Sequence, residues 1–165
     1  MESVALFGGS FDPPHIGHKA VVEAALNLKD INKVVVMPTF LNPFKSSSHL
    51  DAKKRLDLTK EMFCEFDRVE VSDFEVLKGY KVPSIVTVKY LLKSYEKVYL
   101  IIGADNLSSL HKWQEYEKLE KLVTFIVAKR DNIEIPKNYI TLDVDENISS
   151  TQIRKTLRTK DNIAK

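Results

Sequence analysis

The chain has 165 residues, 44% of them hydrophobic and 29% charged, with a formal net charge of +2. That size and balance fit a single globular domain over residues 1–165 with a sizeable core. The small net charge gives no general footing for nucleic acid, so none is expected as a partner. Cys64 is the only cysteine, which excludes an internal disulfide. It lies in an amphipathic stretch and is expected to be a buried, inert thiol. The first strand follows Met1 almost at once, so no signal peptide is expected. No apolar run is long enough to span a membrane. A soluble, cytoplasmic chain without membrane contact is the expectation.

Strand-like and helix-like segments alternate along the chain. Val4-Ala5-Leu6-Phe7 reads as a buried strand, and Ala20 to Leu26 as a helix. Lys33 to Met37 is a second buried strand, followed by a loop over 38–50. Asp51 is placed to cap a helix running to about Phe66, with Leu56, Thr59, Met62, Phe63 and Phe66 on one side. Arg68 to Val71 is a weaker strand, and Asp73 to Pro83 reads as irregular. Ser84 is expected to cap a helix reaching about Tyr95, with Thr87 on its surface. Val98 to Ile102 is another buried strand, ending at Gly103-Ala104-Asp105. Residues 106–121 are helical with a break near His111. Val123 to Ala128 and Tyr139 to Leu142 are the last strands, and a final helix starts near Ser150. Apolar strands separated by helices imply an α/β fold: a mostly parallel sheet with helices on both faces. Ligands of such sheets bind beyond the carboxyl ends of the strands. The loops holding Gly8–His18, Pro38–Lys45 and Gly103–Asp105 should therefore share one cleft.

Two segments carry chemistry. Gly8-Gly9-Ser10-Phe11-Asp12-Pro13-Pro14-His15-Ile16-Gly17-His18 joins the first strand to the first helix. A glycine-rich turn there is expected to offer free N–H groups and a helix N-terminus to a phosphate. Gly17 would let the backbone pass close to a ligand. His15 and His18 fall on one face of the first helical turn and can both donate to one anionic group. The sequence lacks Gly-x-x-x-x-Gly-Lys-Ser/Thr and Gly-x-Gly-x-x-Gly, so neither a P-loop ATPase nor a dinucleotide dehydrogenase is indicated. With four histidines, one cysteine and no ligand quartet, no protein-bound metal is expected. Near the C-terminus, Ile148-Ser149-Ser150-Thr151-Gln152-Ile153-Arg154 brings hydroxyls and an arginine to a helix start, a second anion site.

The His-x-Gly-His and Ser-Ser-Thr-x-Ile-Arg motifs at opposite ends of one short chain resemble the nucleotidyltransferase superfamily. Within it, Ile101-Ile102-Gly103-Ala104-Asp105-Asn106-Leu107, then Leu110, Trp113 and Tyr116-Glu117-Lys118-Leu119, resemble the nicotinate-nucleotide adenylyltransferases. Phosphopantetheine adenylyltransferase is the nearest rival. It usually carries Thr at the first motif histidine and lacks the Gly-Ala-Asp…Trp segment. Three loops depart from the family pattern. Asn42-Pro43-Phe44-Lys45 replaces Asn-Pro-Pro-His-Lys. Pro83-Ser84-Ile85-Val86-Thr87 replaces Tyr-Thr-Ile-Asp-Thr. Lys129-Arg130-Asp131-Asn132 replaces Ser-Arg-Pro-Gly.

The resemblance implies a Rossmann-like, doubly wound fold and adenylyl transfer from ATP, with Mg²⁺, to nicotinate mononucleotide. Nicotinamide mononucleotide or phosphopantetheine as acceptor, or a non-catalytic nucleotide-binding module, are the alternatives. His18 and His15 would contact the α-phosphate, and Lys45 and Arg154 would neutralise the triphosphate. Gly8, Gly9, Ser10, Phe11, Gly17, Ser150, Thr151 and Arg130 would complete the ATP side. Gly103 and Asp105 would approach the adenosine. Trp113 would stack on the pyridine, with Ser84, Asn42 and Lys45 also on the acceptor side. The basic residues after Arg154 read as a solvated helix end. The sequence carries no sign of oligomeric state.

Overall fold

The computed structural model describes residues 2–40, 50–130 and 132–144. Among them the chain runs β1 (Ser3–Gly9), α1 (Ile16–Leu26), β2 (Lys33–Pro38), α2 (Ala52–Phe63) and β3 (Val69–Val71). It continues through α3 (Phe74–Lys78), α4 (Ser84–Leu91), β4 (Lys97–Gly103), α5 (Tyr116–Leu122), β5 (Val123–Ala128) and β6 (Ile140–Leu142). The strands form one sheet in the order β3-β2-β1-β4-β5-β6, and every adjacent pair is parallel. This is the doubly wound Rossmann-like order. Between β1 and β4 the order reverses direction, which opens a crevice at the carboxyl ends of these strands.

Alternation along each strand feeds two cores. Val4, Leu6, Val35, Met37, Val98, Leu100 and Ile102 pack against Ile85, Val88 and Leu91 of α4 and Leu119 of α5. Ala5, Val34, Val36, Tyr99, Ile101 and Ile126 pack against Val21, Val22 and Ala25 of α1 and Phe63 of α2. Strands covered on both faces read as continuous apolar runs, which is why β2 and β4 stand out in the sequence. Asp51 caps α2 as expected: its Oδ1 accepts the Lys54 N–H at 2.7 Å.

Four expectations need correction. The stretch over 73–83 is not wholly irregular, because α3 forms there and ends at Gly79, whose φ of 72° suits glycine. Ser84 is not a cap: Pro83 holds the cap position, and Ser84 is the first helical residue. Cys64 is exposed, since it follows Phe63 at the end of α2, beyond the buried stripe. Thr87, read from the sequence as helix surface, is fully buried in α4. The break near His111 is real. Two single 3₁₀ turns, Ala104–Asn106 and Leu110–Lys112, precede α5. The helix expected near Ser150 lies outside the described residues. No helix among the described residues is long and apolar enough to cross a membrane.

Candidate active site

The site is built where β1, β4 and β5 end. Gly8 and Gly9 still lie within β1, in register with Met37 and Pro38 of β2, so they close the strand and the turn begins at Ser10. Phe11 then takes a left-handed φ of 48°. Its ring is 1% exposed. It meets Phe7 edge-on at 5.4 Å and His18 at 4.6 Å. Phe11 therefore enters the site by supporting His18, and any ATP contact of its own would go through its backbone.

His15 is the cap of α1 and His18 is three residues inside it. The two side chains cap the helix reciprocally. His15 Nδ1 accepts the Gly17 N–H at 3.0 Å, and His18 Nδ1 accepts the His15 N–H at 3.1 Å. The rings stack at 3.9 Å with 29° between their planes. Because both Nδ1 atoms accept, the hydrogen-bond pattern assigns each neutral ring's proton to Nε2. Burial keeps both rings neutral. It lowers His15 from 6.5 to about 4, with the Arg130 guanidinium adding to the effect. Burial, then His15, then Arg130 hold His18 well below the ordinary value.

This corrects one expectation. The Gly17 N–H is taken by His15 Nδ1 and the His15 N–H by His18 Nδ1, so neither amide is free for an anion. The donors left at this helix start include the two imidazole Nε2–H groups.

The opposite wall comes from β4 and β5. Gly103 ends β4, and a Cβ added there would sit 2.5 Å from Asp105 Oδ1. The glycine thus lets the Asp105 carboxylate fold back over the strand end. Arg130, just past β5, lies 3.8 Å from that carboxylate, and both side chains are exposed. Its field at both histidines ties it to the same cleft. Trp113 and Ser84 belong to the α4–α5 side. Trp113 is half-buried against that core and lines an open surface depression with His111, Tyr116 and Glu120. Ser84 starts α4 beside Ile85 of the same core. Asn42, Lys45, Ser150, Thr151 and Arg154 lie outside the described residues.

Sequence reasoning missed two buried charged groups. Arg55 is 0% exposed and spends its guanidinium on backbone carbonyls. The signal was present: it falls on the same helical stripe as Thr59 and Phe66. Glu75 of α3 is buried and accepts the Thr87 hydroxyl at 2.6 Å. Burial raises its carboxyl from 4.5 to about 7. Nothing in a five-residue helix announces this.

A parallel doubly wound sheet with a neutral imidazole pair, a cation and a carboxylate at its switch point defines a nucleotide-binding α/β domain. The Cytidylyltransferase-like family matches residues 6–156. A probable nicotinate-nucleotide adenylyltransferase of Sulfurimonas denitrificans is 57% identical over 158 residues, covering 96% of this chain and 87% of that protein. One from Campylobacter jejuni is 51% identical over 160 residues, covering 96% and 88%. The chain belongs to the cytidylyltransferase-like family and, within it, to the nicotinate-nucleotide adenylyltransferases. Solved structures share the fold. The Plasmodium falciparum nicotinic acid mononucleotide adenylyltransferase complexed with NaAD has a TM-score of 0.78 at 24% identity, covering 95% of this chain and 84% of that one. A Vibrio parahaemolyticus protein described as a putative nicotinate-nucleotide adenylyltransferase has a TM-score of 0.74 at 24% identity, covering 97% and 89%.

Proposed function

We propose that this chain transfers the adenylyl group of ATP to nicotinate mononucleotide, giving nicotinate adenine dinucleotide and pyrophosphate. The observation that carries the reading is the neutral His15–His18 pair at the end of β1, in a chain 57% identical to a relative named for this activity. A phosphate oxygen of the mononucleotide attacks the α-phosphorus. The bond from that phosphorus to the bridging oxygen of the β-phosphate breaks, and pyrophosphate leaves. The nucleophile is already anionic, so the protein need not supply one. Its work is alignment and charge stabilisation.

In this reading His18 and His15 donate Nε2–H bonds to the α-phosphate oxygens. Arg130 adds positive charge beside them. Neutral donors suit this place, because a buried imidazolium pair would repel itself and Arg130. Gly8, Gly9 and Ser10 close the strand end under the phosphates. Asp105 faces the adenosine half, and releasing it from Arg130 frees both groups for ligand. Trp113 offers a ring for the pyridine, and Ser84, Asn42 and Lys45 are assigned to the same substrate. Lys45, Ser150, Thr151 and Arg154 complete the triphosphate cradle. Mg²⁺ would arrive with ATP and be held by phosphate oxygens and water. Residues 1–165 act as one catalytic domain of the cytoplasm.

The reading is tested with ATP labelled at the α-phosphorus. The label should appear in the dinucleotide while unlabelled pyrophosphate is released. Label recovered as free AMP, or retained in ATP, would contradict it.

A further inference from the structure

Arg55 stands apart from every other charged residue described. Among the described residues it is the largest fully buried side chain, and its guanidinium meets main-chain carbonyls where a carboxylate partner would be expected. Its Nε donates to the Leu50 carbonyl at 3.1 Å. One terminal nitrogen donates to the Ser10 carbonyl at 2.7 Å and to the Thr39 carbonyl at 2.6 Å. The other donates to the Phe40 carbonyl at 2.6 Å. Four of the five guanidinium donors are thus fixed on four main-chain oxygens. Asp12 and Asp51 supply the nearby negative charge, and Asp12 Oδ1 accepts the Leu50 N–H at 2.7 Å.

The four carbonyls come from three separate parts of the chain. Ser10 opens the turn after β1, one residue before Phe11, the ring that supports His18. Thr39 and Phe40 leave the end of β2. Leu50 precedes α2, the helix that carries Arg55. The parallel ladder ties the two strands as far as the Thr39 N–H, which donates to the Gly9 carbonyl at 3.0 Å, and the rigid fork carries that tie onward to the Ser10 and Phe40 carbonyls, where the ladder has ended. Under the proposed function, the first exit holds the ATP phosphates and the second leads to the acceptor side. A fold needs only that these polar groups be satisfied. An in-line transfer needs more, because the attacking oxygen and the α-phosphorus must be held in line at about 3–3.5 Å before reaction.

We propose that Arg55 is a positioning residue for the transfer: it sets the β1 turn and the β2 exit, and so the two substrates, at reacting distance. It acts through Ser10, Thr39 and Phe40 and touches neither substrate. This rests on the function proposed above. Lysine cannot replace it, because one ammonium group has no planar fork to span these carbonyls.

The test compares wild type with Arg55→Lys and Arg55→Gln. Folded fraction is measured by circular dichroism, and kcat and both KM values are measured at 10 °C, far below melting. Alignment lost by about 1 Å costs on the order of 10²-fold in rate. The expected result is a folded Arg55→Lys whose kcat falls by about 10- to 100-fold while each KM moves by less than about threefold. A folded variant with kcat within twofold of wild type would overturn the proposal and leave Arg55 as a fold-stabilising group. Both variants unfolded at 10 °C would overturn it too, since the residue would then serve the fold itself. Wild type that turns over only another acceptor would refute the nicotinate reading alone, and the Arg55 comparison would then be read with that acceptor. Wild type silent with every acceptor would overturn both.

Discussion

His18 has two ring nitrogens with different duties, and substitution can separate them. Nδ1 accepts the His15 N–H at 3.1 Å and so belongs to the helix cap. Nε2–H is the donor assigned to the α-phosphate. In His18→Asn the amide oxygen takes the place of Nδ1, so the cap acceptor is kept and the donor at the Nε2 position is lost. In His18→Gln the longer side chain reaches the Nε2 position and the cap acceptor is lost. Removing one preorganised donor from a developing charge costs about 10²–10³ in rate, about 2.7–4 kcal/mol of barrier. His18→Asn should therefore lower kcat by that factor. Its KM for ATP should change little, because the lost bond matters mainly in the transition state. The ring contacts to Phe11 at 4.6 Å and His15 at 3.9 Å are also lost. These contribute about 1 kcal/mol, a fall of about 2–4 °C in melting temperature for a chain of this size. His18→Gln should keep kcat within about tenfold of wild type. It should melt lower than His18→Asn, since a lost cap bond costs about 0.5–2 kcal/mol. Pyrophosphate release at saturating substrates and thermal melting read both effects. A folded His18→Asn with near-normal kcat would refute the donor role. If Asn kept the rate and Gln lost it, the two nitrogens would be assigned the wrong way round.

Further predictions concern stability and each substrate. Glu75 is raised from 4.5 to about 7, so between those values the folded state holds a proton that the unfolded state has released. Stability then falls as pH rises through the window, by about 1.4 kcal/mol per pH unit and about 3 kcal/mol in all. Glu75→Gln can still accept the Thr87 hydroxyl but cannot ionise. Chemical denaturation should find it nearly equal to wild type at pH 4.5 and markedly more stable at pH 8; a pH-independent difference would contradict the assignment. Trp113→Ala should raise the KM for nicotinate mononucleotide by about 5- to 150-fold, as loss of about 1–3 kcal/mol of ring stacking implies. A rise in the ATP constant instead would move Trp113 to the other half of the site. Arg154→Ala should raise the ATP KM without unfolding the chain, since a charge-assisted bond contributes about 1.5–3 kcal/mol. Unchanged ATP kinetics would remove it from the cradle.

Much of the architecture was legible because its strands are buried on both faces. Val34 to Met37 and Val98 to Ile102 have no charged interruption, and their alternation with helical segments is the pattern of a parallel sheet clad with helices. Asp51 was legible as a cap because its short carboxylate precedes a periodic stripe. The histidines were legible as a pair at the start of the first helix, but their mutual capping was not. That depends on both rings turning Nδ1 toward the backbone, which spacing alone does not reveal. Arg55 shows the limit most clearly. In the sequence it is one charged residue at the start of an amphipathic helix. Only the fold brings Ser10, Thr39 and Phe40 within reach of its guanidinium. Glu75 and Thr87 likewise meet only when α3 packs beside α4. Pair contacts between distant elements leave no periodic trace.

The most direct test of the account is the choice of acceptor. Wild-type protein with ATP and Mg²⁺ is offered nicotinate mononucleotide, nicotinamide mononucleotide and phosphopantetheine in parallel, and kcat/KM for pyrophosphate release is compared. The account predicts the highest value with nicotinate mononucleotide and clearly lower values with the other two. A value for phosphopantetheine equal to or above that for nicotinate mononucleotide would contradict it.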